Sequence, residues 1–176
     1  NDQVTFVHED VVGSIWIGTW WSGINRYDTL TKKITHYESS NGFPDKSGEN
    51  IYQSRDGVLW IPTQEANLYR VDPFFRKLNR TSTPGIPLSF IDDKEGNLWV
   101  GTLHGGLLQY NQEGKLLQQF NHNPSDDRSL FDSLNVIPSM SHRNGDTIWL
   151  GTSDGPGIFN KATREFSRLP VALKYN

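Results

Sequence analysis

The side chains with chemistry to offer are five histidines, His8, His36, His104, His122 and His142, and three adjacent carboxylate pairs, Glu9-Asp10, Asp92-Asp93 and Asp126-Asp127. Neither set has the spacing of a catalytic or metal-binding motif. The histidines show no ligand-pair interval and read as surface or packing residues. The carboxylates fall at turns, where an aspartate side chain caps its own backbone without acid–base work. The sequence contains no Gly-x-Ser-x-Gly elbow, no phosphate loop and no His-Glu-x-x-His. With no cysteine there is no disulfide, thiolate nucleophile or thiolate ligand. No catalytic residue, metal or cofactor is therefore expected.

Recognition chemistry remains. Trp20-Trp21 is the least ordinary pair in the chain. An indole offers an apolar face on which a sugar ring stacks, together with an N–H donor. Gln64, Glu65, His104 and Asp154 add polar groups at comparable places and complete the candidate ligand-binding set with Trp20 and Trp21. Two plainer readings stay open: one or both indoles tuck under neighbouring structure, and His104 and Asp154 serve turns.

What makes those places comparable is an internal repeat. Ser14-Ile15-Trp16-Ile17-Gly18-Thr19, Val58-Leu59-Trp60-Ile61-Pro62-Thr63, Asn97-Leu98-Trp99-Val100-Gly101-Thr102 and Thr147-Ile148-Trp149-Leu150-Gly151-Thr152 align on tryptophans spaced 44, 39 and 50 residues apart. An equal core with unequal spacing means constant strands and variable loops. Before each tryptophan stands a short apolar–polar run: Phe6 to Asp10, Ile51 to Gly57, Phe90 to Gly96, and Val136 to Met140. After it come a third run, such as Gly23 to Asp28 or Gly106 to Asn111, and a fourth, such as Lys33 to Tyr37, Arg76 to Leu78, Leu116 to Phe120 or Glu165 to Leu169. Alternation broken by Asp-Gly, Glu-Gly-Asn and Asn-Gly-Asp marks hairpins.

Each copy is thus a four-stranded antiparallel meander, which buries its faces only by stacking on its own kind. The expected fold is all-β: four β-propeller blades in a single segment over 1–176, at approximately 1–38, 48–80, 86–121 and 132–170. Trp16, Trp60, Trp99 and Trp149 are expected to pack blade on blade, and the Gly-Thr after them to sit where neighbouring backbones approach closely. Pro62 replaces that glycine in the second copy and should leave its strand irregular, because proline donates no ladder hydrogen bond.

Composition agrees. Sixteen glycines and 12% aromatics in 176 residues suit short strands and tight turns. A net charge of −3 without a basic block points away from nucleic acid, and the short apolar runs away from a membrane-spanning or membrane-contacting segment.

The repeat, with its Leu-Trp, Gly-Thr, paired glycines and Tyr-Asp, resembles that of two-component regulator propellers, over essentially the whole chain. Asn121-His122-Asn123-Pro124 through Ser129-Leu130 is similar to the family's linker, and Asn41-Gly42-Phe43-Pro44 to its shorter form. The fourth copy departs, reading Asp154-Gly155-Pro156-Gly157 and then Phe159-Asn160. The resemblance implies a non-enzymatic, periplasmic ligand-sensing module of a bacterial two-component receptor. Its output would be a histidine kinase, hybrid regulator or diguanylate cyclase elsewhere in the parent chain, and its ligand a carbohydrate fragment. Family propellers carry more than four blades, so this chain is expected to be part of a larger one, with open blade faces through which copies associate. The alternatives are a propeller enzyme, similar to streptogramin lyases with His104 as base or a glycosidase, and a pure protein-interaction scaffold.

Overall fold

The computed structural model describes residues 3–43, 48–74 and 77–170. The chain divides into two compact units, Asn1–Pro87 and Leu88–Asn176. The first unit holds two sheets: β1 (Val4–Glu9), β2 (Ser14–Thr19), β3 (Ile24–Asp28) and β4 (Ile34–Tyr37), then β5 (Tyr52–Gln53), β6 (Leu59–Pro62), β7 (Asn67–Asp72) and β8 (Lys77–Ser82). The third sheet, β9 (Ile86–Asp92), β10 (Leu98–Leu103), β11 (Leu107–Tyr110) and β12 (Leu116–Phe120), begins at the boundary. The fourth is β13 (Ser139–Asn144), β14 (Thr147–Thr152), β15 (Gly155–Asn160) and β16 (Glu165–Arg168). Each sheet is antiparallel with its strands in sequence order, which is the meander the repeat predicts. Beyond strands, the described residues form one 3-10 turn, Ser39–Asn41, and no helix long and apolar enough to cross a membrane.

Strand alternation gives every blade two faces. In the first unit, one face of blade 1 carries Phe6, Trp16 and Ile24, with Tyr37 stacked on Trp16 at 5.6 Å. It packs against Leu59, Ile61, Tyr69 and Val71 of blade 2, with Phe43 from the linker added. In the second unit, Ile91, Trp99 and Leu107 of blade 3 pack in the same way on Ile148, Leu150, Phe159 and Phe166 of blade 4. The neighbours that follow and precede one tryptophan thus receive the tryptophan of the blade before. Trp16, Trp60 and Trp99 are all but inaccessible, whereas Trp149 is half-buried.

A hydrogen bond repeats across these interfaces. Thr5 in β1 donates to the carbonyl of Gly48, and Ser89 in β9 donates to that of Ile137. Gly48 and Ile137 each stand twelve residues before the next blade's tryptophan. The Gly-Thr glycine is crowded as expected: a Cβ on Gly101 would stand 2.5 Å from the Ile137 carbonyl oxygen.

Two strands differ in extent from their siblings. With Pro62 at the end of β6, β5 shrinks to Tyr52↔Trp60 and Gln53↔Leu59, the irregularity that proline imposes. In the fourth copy the first strand is not Val136 to Met140 but Ser139–Asn144. Ile137 is drawn away: its N–H bonds to the Thr102 carbonyl at 2.8 Å and its side chain enters the core of the second unit. Pro138 cannot donate to a ladder, so pairing starts one residue later. Pro44, Arg76 and Leu173 to Asn176 lie outside the described residues.

Replacing Trp16 or Trp99 by alanine should lower stability by about 3–5 kcal/mol. Trp149→Ala should cost clearly less, because a half-exposed side chain has less transfer free energy to lose. Urea unfolding followed by circular dichroism checks the order.

Candidate functional site

In blades 1, 3 and 4 the loops joining second to third strands are built on one plan, and the threonine of Gly-Thr is its anchor. Thr19 Oγ1 donates to Gly23 O (2.9 Å) and accepts from Ser22 N. Thr102 does the same between Gly106 O (2.8 Å) and Gly105 N, and Thr152 between Gly155 O (2.8 Å) and Asp154 N. Gly106 closes its loop at φ +73°, where an added Cβ would strike the Phe120 carbonyl oxygen at 2.2 Å. The hydroxyl fixes the loop base.

The candidates occupy those tips. Trp21, Glu65, His104 and Asp154 each stand five residues after their blade's tryptophan, and all four are exposed. In the first unit Trp21 is 63% accessible and lies 6.4 Å from the ring of half-buried Trp20, whose backbone N–H is bonded to Gln3 O. Gln64 and Glu65 are exposed on the β6–β7 loop, which turns through Ala66 at φ 54°.

In the second unit a residue the sequence did not single out joins two of these loops. Asp132, fully buried in the β12–β13 linker, accepts from Leu134 N through Oδ1 (2.9 Å). Its Oδ2 accepts from Ser153 N (2.8 Å) and Ser153 Oγ (2.6 Å). Leu134 O in turn receives His104 Nδ1 at 3.2 Å; a carbonyl only accepts, so that nitrogen carries the proton. The His104 and Asp154 loops are thereby tied to one linker, with Asp154 paired to Arg168 at 3.5 Å. Burial raises the Asp132 carboxyl, but the Ser153 hydroxyl and the backbone N–H groups outweigh it and hold it below the ordinary 3.8.

The linker itself is closely bonded. His122 donates its N–H to Asn135 Oδ1 (2.6 Å) and Nδ1–H to Leu130 O (2.7 Å), and Phe166 N bonds to Arg128 O (2.8 Å).

At the other end of the strands, carboxylates serve the hairpins. Asp10 Oδ1 accepts from Val12 N and Ser14 N, while Oδ2 accepts from the Trp16 indole at 2.7 Å. Asp93 repeats this with Glu95 N, Asn97 N and the Trp99 indole at 2.8 Å. Ser54 takes the place for Trp60, at 3.3 Å. Burial raises the Asp93 carboxyl, and the Trp99 and Asn97 donors more than reverse it, leaving it below 3.8. An acidic residue six positions before the repeat tryptophan is the sequence signal for this role.

Two clefts open in the second unit away from the loop tips. One, of about 230 Å³, is lined by Asp93, Glu95, Asp146, Lys161 and Arg164; the other, of about 400 Å³, by Asn121, Asn123, Arg128, Arg164 and Glu165 over Phe120 and Phe166. Neither includes a candidate residue. Among the described residues no cluster of three or more histidines and carboxylates stands close enough to hold a metal ion.

The fold class these sheets define is that of β-propeller blades. Comparison with solved structures agrees. The chain matches the extracellular domain of a protein described as a one component system from B. thetaiotaomicron (24% identity, TM-score 0.66), over 90% of this chain and 21% of that one. It matches the extracellular domain of a protein described as a hybrid two component system from the same organism (24%, TM-score 0.65), over 96% and 22%. The WD40 repeats of RRP9 match at 8% identity with a TM-score of 0.70, over 94% and 50%. The chain spans about a fifth of the length of the first two structures. Within the propeller class, residues 82–104 match the model of the two component regulator propeller family, so the resemblance carried by the repeat holds. No curated protein matches the sequence.

Asp93 and Asp132 have folded-state carboxyls below the unfolded value. Their contribution to stability is present above that value and is lost as pH falls through the folded one. Stability should therefore drop as pH goes below about 4. Asp93→Asn and Asp132→Asn should each cost about 1–3 kcal/mol at neutral pH and flatten the acid limb. Denaturant midpoints measured across pH for the three proteins check this.

Proposed function

We propose that the chain is a non-enzymatic, ligand-sensing propeller segment of a bacterial two-component-type receptor, held in the periplasm, and that its ligand is a carbohydrate. The observation that carries the reading is the exposed Trp21, backed by Trp20 on a loop whose base the Thr19 hydroxyl fixes. A sugar presents an apolar C–H face and a rim of hydroxyls. An accessible indole on a rigid base suits the first, and the exposed Gln64 and Glu65 of the same unit suit the second. The family match at residues 82–104 supports a regulator propeller, and the extracellular placing of the similar B. thetaiotaomicron domains supports an extracytoplasmic location. His104 and Asp154 are committed to Leu134 O and Arg168, which favours holding a ligand over turning one over. Signal output belongs to other parts of the receptor and requires that the ligand bind its two states unequally.

Calorimetric titration of the chain with a panel of oligosaccharides tests this. One class should bind, and Trp21→Ala should weaken it about tenfold, the loss of roughly 1.4 kcal/mol of stacking. Leu30→Ala, at an exposed turn outside the recognition loops, should change nothing. Binding indifferent to Trp21, or none across the panel, overturns the reading.

A further inference from the structure

The cleft of about 230 Å³ in the second unit opens at a place that the repeat fills in blade 1. Arg26 of blade 1 and Gln109 of blade 3 are each paired with their blade's tryptophan across the second and third strands, Trp16↔Arg26 and Trp99↔Gln109. Arg26 is buried, and its guanidinium bonds to Ser14 Oγ at 2.6 Å. Gln109 is shorter and only half-buried, and the space beside Trp99 and Phe120 stays open.

The polar groups lining that space lack partners of their own. Gln109 and Gln118 stand directly opposite each other on β11 and β12, and among the described residues neither side-chain amide has a hydrogen bond. Lys161 enters from the turn after β15 with its side chain only 11% accessible. Its ammonium nevertheless meets no hydrogen-bond acceptor among the described residues, since Glu95 Oε2 is 4.0 Å away, outside the hydrogen-bond range. The Glu95 side chain is 66% accessible, so the attraction across that gap is weak. Arg164 lies in the same turn as Lys161, and among the described residues its guanidinium has no ion-pair partner. Asp146 adds a second carboxylate to the lining, whereas Asp93 is already committed to the Trp99 indole and its own turn.

A lining of this kind selects its ligand by charge. A plain anion would meet Glu95 and Asp146, and a plain cation would meet Lys161 and Arg164. A molecule with both charges on neighbouring atoms answers both pairs, and the 4.0 Å between the Lys161 ammonium and the Glu95 carboxylate places one receptor of each sign side by side. The facing amides then offer donors and acceptors to a polar remainder. The volume lies below the roughly 300–1,000 Å³ of pockets for drug-sized ligands, so the occupant has few atoms. We propose that this cleft binds a free α-amino acid with a polar side chain. Its carboxylate is received by Lys161 and Arg164, its ammonium by Glu95 and Asp146, and its side chain by Gln109 and Gln118. All of these residues belong to the second unit, and the site does not rest on the carbohydrate reading of the Trp21 loop.

Calorimetric titration of the chain with the common L-amino acids, one at a time, reads this directly. At least one with a polar side chain should bind. Its N-acetyl derivative, which has no ammonium, and its primary amide, which has no carboxylate, should each bind at least about tenfold more weakly, and Lys161→Gln should weaken the parent amino acid by a similar factor. Gln109→Arg, which installs the blade 1 residue, should fill the cleft and abolish binding; it also keeps the test decisive should Lys161→Gln unfold. Leu30→Ala, at an exposed turn of the other unit, should change nothing. The proposal is overturned if no amino acid binds, or if the N-acetyl derivative binds as well as its parent, which would mark a plain anion site. Binding that survives Gln109→Arg overturns it too, because the ligand then sits elsewhere. Oligosaccharide binding is read in a separate titration, and its absence leaves these outcomes unaltered.

Discussion

A repeat tryptophan makes two demands when it is buried: its ring needs apolar company and its indole N–H needs an acceptor. In blades 1 and 3 a single aspartate answers the second demand while closing the hairpin beside it. One oxygen of Asp10 or Asp93 binds the turn's backbone donors and the other binds the indole. The turn and the orientation of the ring are therefore set by one carboxylate, and the ring in turn sets the distance at which the next blade docks. The linker carbonyls that receive Thr5 and Ser89 lie across the same interfaces. Blade 2 meets the requirement more weakly with Ser54 at 3.3 Å, and it is also the blade with the shortest first strand.

That arrangement keeps the folding residues apart from the loop tips proposed to bind a ligand. The carboxylate-capped hairpins of blades 1 and 3 lie at one end of the strands, and the threonine-anchored loops, whose tips carry Trp21, His104 and Asp154, lie at the other. A tip residue that contributes nothing to the blade interface is free to be an indole in one copy and a carboxylate in the next. Function placed on such loops changes without disturbing the scaffold.

How far this was legible in the sequence follows from the range of each interaction. Meanders, hairpins and packing tryptophans depend on contacts within one repeat, and the repeat displays them four times. Pro62 announced its own irregularity because the missing donor is a property of the residue itself. The first strand of blade 4 begins later than its local pattern suggests: Val136-Ile137 looks like a strand in isolation, but the Thr102 carbonyl claims the Ile137 N–H. The Asp132–Ser153 link spans 21 residues with no local pattern at either end, so no reading of one repeat reveals it. The indole partners of Asp10 and Asp93 were within reach, since the six-residue spacing recurs in two copies, but turn capping already explained those aspartates.

The unequal repeat spacing is absorbed between blades, and its longest instance is held by several hydrogen bonds of its own. A long loop costs little more to close than a short one, because closure entropy grows only with the logarithm of length. A long loop left free would nevertheless blur whatever it presents. The 121–138 segment avoids this through internal donors and acceptors, from His122 to Leu130 and Asn135, and through Asp132, whose buried charge is stabilised by three donors in the β14–β15 loop and its own linker. On the proposed reading, ordering the segment in the unliganded state means that a ligand meeting the His104 and Asp154 loops does not have to supply that ordering free energy itself. A sensor gains from such a surface, since binding free energy then remains to bias the receptor rather than to assemble the site.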